Sequence, residues 1–286
     1  MKARYYLKLL APLCVFAFAF RILEIIFAID SANGFYVNGS VIPVLFNIYI
    51  LIASLFLLSS VIFTKREQKP VRGRVATLGK AGNFTALIAA VFILAGEMQP
   101  LLHNILNLNK YASVADILGD TAIYRLVFAV FIALFLVHLA SNPKKAIKNR
   151  FYIFISVFCP VYYVFRAVLL FTDLSQILTS AYSVYEMILL LMLAVAYMNL
   201  SKILAGSRGK RLITGFGMTS VLFGVIRLAD IIMHFIPGDP YNVKVTVLAN
   251  IADVLAAFLM LFIVMRINRK SQKPDGKSAE FEPVNQ

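Results

Sequence analysis

Eight apolar stretches, each about 20 residues long, constrain the fold of this chain more than any other feature. A helix needs about 20 apolar residues to cross roughly 30 Å of hydrocarbon, and helices satisfy every backbone polar group internally. The predicted fold class is therefore all-α, a polytopic integral membrane protein with eight transmembrane helices. The predicted spans lie near residues 9–29, 43–63, 82–105, 121–140, 151–172, 177–200, 213–236 and 245–265.

The basic residues are concentrated in alternate loops. The N-terminus, three of the loops and the C-terminal tail together carry 22 of the 28 Lys and Arg residues, whereas the other four loops carry only Lys110 and Lys244. Positive segments resist translocation, so this alternation predicts that both termini are cytoplasmic. The formal net charge of +14 is thus assigned to topology and not to nucleic-acid binding. A second interpretation of the basic loop 64–80 is binding of anionic lipid or of a partner.

The remaining segments predict a simple domain organisation. Residues 1–267 form the predicted transmembrane domain, and the polar tail 268–286 is predicted to be a disordered cytoplasmic segment. The first span lacks small residues where a signal peptide would be cleaved, so we expect it to remain as a helix. The compact loops favour a bacterial plasma membrane protein.

No motif in the chain predicts catalysis, a cofactor or a metal. The sequence has no HExxH, Walker A or GxSxG pattern, and its two cysteines, Cys14 and Cys159, lie in separate spans without a Cys/His cluster. We therefore expect that the protein is not an enzyme, and that it has no cofactor and no metal site.

An internal repeat is indicated by polar positions in the odd-numbered spans. The first span contains FRILEIIF and the seventh VIRLADIIM, and in both an arginine precedes an acid by three residues. The fifth span keeps the arginine in FRAVLLF, and the third keeps the acid in LAGEMQP. These matches predict four tandem two-helix hairpins around an axis along the membrane normal. The hairpins comprise residues 9–63, 82–140, 151–200 and 213–265.

Four arginines and five acids lie inside the predicted spans, and these nine residues are the candidate site. Counted along the helices, they form a layer in the outer half of the membrane, with Glu186 and Asp253 about ten residues into their spans. Intramembrane charges cost about 2.5–3.5 kcal/mol each unless they are paired, so we expect pairing. They are Arg21, Glu24, Glu97, Arg125, Arg166, Glu186, Arg227, Asp230 and Asp253.

Spacing along the helices predicts some of the pairs. Arg21 with Glu24, and Arg227 with Asp230, are three residues apart and lie on one face of a helix. The acids without such a neighbour need arginines from other helices, for which Arg125 and Arg166 are the candidates.

Two classes of function remain open for this layer. The first is a polar cavity that binds or transports a small charged or zwitterionic solute, since intramembrane ionisable groups commonly mark sites and pathways. The second is a non-transporting membrane module, such as a sensor or the subunit of a protein complex, in which the charges form a structural ion-pair network. A proton or ion relay is a third interpretation. The expected partners are the lipid bilayer, such a solute, and possible protein subunits.

Overall fold

Helices account for 91% of the described residues, and the predicted all-α class is confirmed. A computed structural model describes residues 3–29, 36–37, 39–64, 78–106, 121–141, 149–176, 183–235 and 247–269. Eight stretches of helix are long and apolar enough to cross a membrane, as the sequence predicts. Nearly all of the predicted tail 268–286 lies outside the described residues.

The described residues form nine helices, with the fifth span divided into two. They are α1 (Ala3–Ala28), α2 (Ile42–Phe63), α3 (Gly79–Leu106), α4 (Thr121–Ser141), α5 (Arg150–Ser156), α6 (Phe158–Gln176), α7 (Ser183–Leu204), α8 (Lys210–His234) and α9 (Val247–Asn268). An even number of crossings returns the chain to its starting side, so we call that end of the bundle the terminal side. The opposite end is called the distal side.

The fifth span is divided because of a proline. Pro160 has no backbone N–H, so it cannot bond the carbonyl of Ser156, four residues earlier. The helix is interrupted at Val157, and the Ser156 carbonyl accepts instead from the Ser201 hydroxyl of α7 at 2.8 Å. The proline thus creates a side-chain hydrogen bond between two helices.

Six of the transmembrane helices pack in a closed circuit. Along the chain α3 packs against α4, α4 against α6, α6 against α7, α7 against α8 and α8 against α9, and α9 packs back against α3. Helices α1 and α2 lie outside this circuit, and both pack against α8. In a ring of four hairpins in chain order the second and fourth hairpins would lie opposite each other, whereas here α9 contacts α3. The fourfold repeat axis stays a prediction.

Small residues allow the helices of the circuit to approach closely. A Cβ added at Gly96 of α3 would stand 2.8 Å from the Ala249 backbone of α9, and one at Gly224 of α8 would stand 2.7 Å from the Ala257 Cβ. In a lipid environment such small-residue contacts replace the hydrophobic effect as a source of helix association. They bring the polar faces of α3, α8 and α9 within reach of one another.

Candidate functional site: an intramembrane charge network

All nine predicted ionisable residues meet in one set of ion pairs at the distal side of the bundle. They lie in the distal halves of the spans formed by α1, α3, α4, α5 with α6, α7, α8 and α9. Successive pairs share residues, so the set is continuous from α1 to α4. We call these nine residues the charge network: Arg21, Glu24, Glu97, Arg125, Arg166, Glu186, Arg227, Asp230 and Asp253.

One end of the network is fully buried. The Arg21 guanidinium donates from Nη1 to Glu24 Oε2 at 2.6 Å and from Nε to Asp230 Oδ1 at 2.7 Å. The exposed fractions of these three side chains are 0%, 0% and 4%. Tyr36, beyond the end of α1, closes this region by donating to Glu24 Oε1 at 2.9 Å. We call Arg21, Glu24 and Asp230 the sealed end.

Arg227 joins the sealed end to the rest of the network. Its Nη1 lies 3.4 Å from Asp230 Oδ2, and its Nη2 donates to Glu186 Oε2 at 2.5 Å. The same Nη2 also donates to Asn250 Oδ1 of α9 at 3.0 Å. The arginine therefore connects α7, α8 and α9 with one side chain.

Arg166 is the second connecting residue, with three carboxylates around it. Its Nη1 donates to Asp253 Oδ1 at 2.6 Å, while Glu97 and Glu186 each lie 3.7 Å from its other nitrogens. Glu97 also lies 2.8 Å from the Nε of Arg125, and it accepts from Tyr162 at 2.8 Å. The Arg125 and Glu97 atoms attract as opposite charges but are not aligned as a hydrogen bond.

Two members of the network are more accessible than the others. The exposed fraction of the Arg125 side chain is 23%, and that of Glu186 is 15%. We call this pair, with the Glu97 and Arg166 side chains that link it, the accessible end. Glu186 lies in the first turn of α7, where the positive end of the helix dipole stabilises a carboxylate.

The predicted pairing is confirmed in part. Arg21 with Glu24, and Arg227 with Asp230, pair within a helix as expected, and Glu97 takes its partners from Arg125 and Arg166. Arg21 also pairs outside its own helix, because Asp230 of α8 is its second partner.

Glu186 and Asp253 lie near the beginnings of their helices as the structure describes them. The described part of α7 starts at Ser183, which places Glu186 in its first turn. The described part of α9 starts at Val247, which places Asp253 in its second turn. The predicted depth of about ten residues counts from starts near residues 177 and 245, which lie outside the described residues.

Several polar neighbours of the network were not predicted from the sequence. Tyr162 lies one turn before Arg166 on α6, and its ring centroid is 5.5 Å from the Arg166 guanidinium carbon. The centroid of the Tyr185 ring lies 4.7 Å from the guanidinium carbon of Arg21, and the Tyr185 hydroxyl donates to Asn47 Oδ1. Asn250 lies one turn before Asp253. The signal that could have identified Tyr162 and Asn250 was their helical spacing from a charged residue.

The network carries one more carboxylate than arginine. It contains five acids and four guanidinium groups, so it has a formal charge of −1 when all are ionised. Among the described residues, Asp253 Oδ2 and Arg227 Nε are buried without a hydrogen-bond partner. An acceptor and a donor of opposite charge are therefore left available within it.

The phenol of Tyr36 stays protonated at neutral pH. Burial, together with the nearby negative charge of Glu24, raises the pKa of Tyr36 to about 12. A neutral phenol is a hydrogen-bond donor, which the Glu24 carboxylate requires. The hydrogen bond from Tyr36 to Glu24 is thus maintained across the physiological pH range.

Comparisons with protein-family models, with curated proteins and with solved structures find no match for this chain.

Proposed function

We propose that this multi-pass membrane protein binds a small zwitterionic or charged solute at the charge network and moves it across the membrane. The solute enters at the accessible end, beside Arg125 and Glu186. The observation that carries the proposal is the pair of buried atoms, Asp253 Oδ2 and Arg227 Nε, that have no hydrogen-bond partner among the described residues. An unpaired buried donor or acceptor costs about 1–3 kcal/mol, which a ligand that pairs with it recovers.

The charges favour a solute with an ammonium or another cationic group. Because the network has an excess of one carboxylate, it attracts a cationic group, which can donate to Asp253 Oδ2, and an attached anionic or polar group accepts from Arg227 Nε. Arg166 pairs with both Asp253 and Glu186, and Glu186 pairs with Arg227. The unpaired atoms Asp253 Oδ2 and Arg227 Nε therefore belong to residues that are linked by successive ion pairs. A small zwitterion meets both requirements.

A route towards the terminal side is supported by two further unpaired atoms. The hydroxyls of Tyr163 and Tyr197 are buried, and neither has a hydrogen-bond partner among the described residues. Their rings stack with centroids 5.4 Å apart. Tyr163 precedes Arg166 by three residues and lies about 4.5 Å closer to the terminal side. These hydroxyls provide polar groups for a solute or a proton that leaves the network.

A thermal-shift measurement tests the proposal. The purified full-length protein is heated with millimolar concentrations of amino acids, amines and organic acids, and unfolding is followed in detergent. A solute at about 100 times its Kd stabilises a protein by about 2.7 kcal/mol, so binding raises the melting temperature. We expect at least one zwitterion or amine to do so. Glu186→Gln should remove the effect, and the exposed control Lys202→Gln should retain it.

Uptake separates binding from transport. The stabilising solute is added in radiolabelled form to proteoliposomes that contain the wild-type protein or Glu186→Gln. Uptake by the wild type alone supports the proposal. If no solute in the panel shifts the melting temperature, or if Glu186→Gln leaves the shift unchanged, the site is not at the network.

A second candidate function is favoured by the pairing itself. Each of the nine residues has at least one ion-pair partner, and six helices are joined by Arg21, Arg166 and Arg227. Such a network fixes the register of helices in a membrane module that does not transport. This alternative predicts that variants of the network change folded yield alone, with no solute-dependent shift.

A further inference from the structure

A basic pocket lies on the terminal side of the bundle, far from the charge network. It is formed between the beginning of α3 and the end of α9, and its volume is 340 Å³. The residues that line it are Gly79, Lys80, Phe262, Met265, Arg266 and Arg269, together with Leu78 and Ala81. Three of the described residues that line the pocket are basic, and none of them is acidic.

The position of Arg266 is fixed by the backbone of α3. Its Nε donates to the Leu78 carbonyl at 3.2 Å. Gly79, which adopts a φ of +80°, leaves room for the guanidinium, because a Cβ at this position would collide with Nη2 of Arg266. The arginine is therefore held across the start of the helix.

This arrangement brings like charges together. The first turn of α3 has backbone N–H groups without helical acceptors and carries the positive end of the helix dipole. Arg266 and Lys80 add two positive charges to the wall of the same pocket, which Arg269 also lines. An anion with several acceptor oxygens would neutralise this repulsion, and a phosphate group has that chemistry.

An apolar stripe continues from the pocket along the membrane-facing side of α3. Phe84, Leu87 and Val91 follow Lys80 at intervals of four, seven and eleven residues, so all four side chains lie on one helical face. The exposed fractions of Phe84, Leu87 and Val91 are 65%, 40% and 64%. Met265, on the pocket wall, is also exposed. A ligand with a phosphate group and an acyl chain therefore matches both the pocket and the stripe.

We propose that the basic pocket binds the phosphate headgroup of an anionic phospholipid, with an acyl chain along Phe84, Leu87 and Val91. The pocket lies on the side that the Lys and Arg distribution predicts to be cytoplasmic, where the leaflet carries anionic lipids. The bound lipid contacts both helices and stabilises the packing of the beginning of α3 against the end of α9. This site is independent of the solute proposed for the network.

Native mass spectrometry of the full-length protein tests this assignment. Phosphatidylglycerol and phosphatidylcholine with identical acyl chains are added separately, and bound lipid is measured for wild type and for Lys80→Gln/Arg269→Gln. We expect preferential binding of phosphatidylglycerol and a loss of about tenfold or more in the double variant, since each basic residue near an anionic surface contributes measurably. The matched control is Lys202→Gln/Arg208→Gln, which removes two exposed charges on the same side. It should bind as the wild type does.

A competition arm distinguishes the lipid from a free anion. Inorganic phosphate at millimolar concentration should leave phosphatidylglycerol bound, because it has no acyl chain for the stripe. Displacement by inorganic phosphate, equal binding of the two lipids, no lipid binding to the intact chain, or equal losses in the double variant and the control would each overturn the proposal.

Discussion

The two ends of the charge network contain similar groups in different surroundings. At the sealed end, Arg21 is held by Glu24 and Asp230 at 2.6 and 2.7 Å, and all three side chains are nearly inaccessible. At the accessible end, Arg125 and Glu186 remain partly exposed, and Arg166 lies 3.7 Å from both glutamates. Glu186 and Arg125 also make short contacts, at 2.5 Å with Arg227 and 2.8 Å with Glu97, so the main difference between the two ends is their exposure. Complete burial favours a structural role, whereas partial exposure leaves room for exchange with a ligand. One network can therefore combine a fixed end and an adaptable one.

The largest effect is expected from removing the arginine of the sealed end. Arg21→Leu leaves Glu24 and Asp230 buried without their main partner, and breaking a buried pair in this way costs about 3–5 kcal/mol. Chemical or thermal unfolding in detergent, with the yield of folded protein, measures the loss. Lys8→Leu on the exposed side of the same helix is the control and should cost little. A loss below about 1 kcal/mol for Arg21→Leu would contradict the structural role of this end.

Removing the hydroxyl that covers the sealed end should have a smaller effect. Tyr36→Phe deletes the hydrogen bond to Glu24, and a hydrogen bond to a charged group contributes about 1.5–3 kcal/mol. Tyr36 is partly exposed, so the lower part of this range is expected.

The same variant should change the response to alkaline pH. The pKa of Tyr36 is about 12 in the folded protein, above the ordinary value near 10 of the unfolded chain. The unfolded state therefore releases the proton first, and the contribution of Tyr36 to stability is present below pH 10 and is lost between about pH 10 and 12. Unfolding curves across this range should decline less steeply for Tyr36→Phe than for wild type. Parallel declines would show that Tyr36 is not held as described.

At the accessible end, loss of an arginine should be tolerated. Arg125→Leu costs about 1 kcal/mol or less, because the side chain is partly exposed and Glu97 retains Tyr162 and Arg166 as partners. The measurement is the same unfolding experiment, run beside Arg21→Leu. If the two variants lose equal stability, the distinction between the ends is wrong.

The smallest effect on stability is expected beyond the network. Tyr163→Phe removes a buried hydroxyl without a hydrogen-bond partner among the described residues, so stability should stay the same or rise slightly. If the proposed route is used, uptake of the stabilising solute should nevertheless fall. A stable variant with unchanged uptake would place the route elsewhere.

The sequence was sufficient for the spans and for the identity of the charged residues, because length, hydropathy and charge balance are local properties. It also supported the pairs within a turn, such as Arg21 with Glu24. It could not supply the contacts of Arg21 with Asp230 or of Arg227 with Glu186, because these depend on the order of helices around the bundle. Packing of α1 and α2 on α8, and of α9 on α3, is set by shape complementarity that hydropathy does not encode.

Solvent access distinguishes the sealed end from the accessible end. Glu186→Cys and Glu24→Cys are compared after Cys14 and Cys159 are replaced by Ala, so each variant removes one acid and carries one thiol. Intact cells are treated with a membrane-impermeant, cationic methanethiosulfonate reagent, and labelling is measured on the purified protein. We expect that Cys at position 186 reacts and that Cys at position 24 does not. Equal labelling, or labelling at position 24 alone, would contradict a network that is sealed at Arg21 and accessible at Glu186.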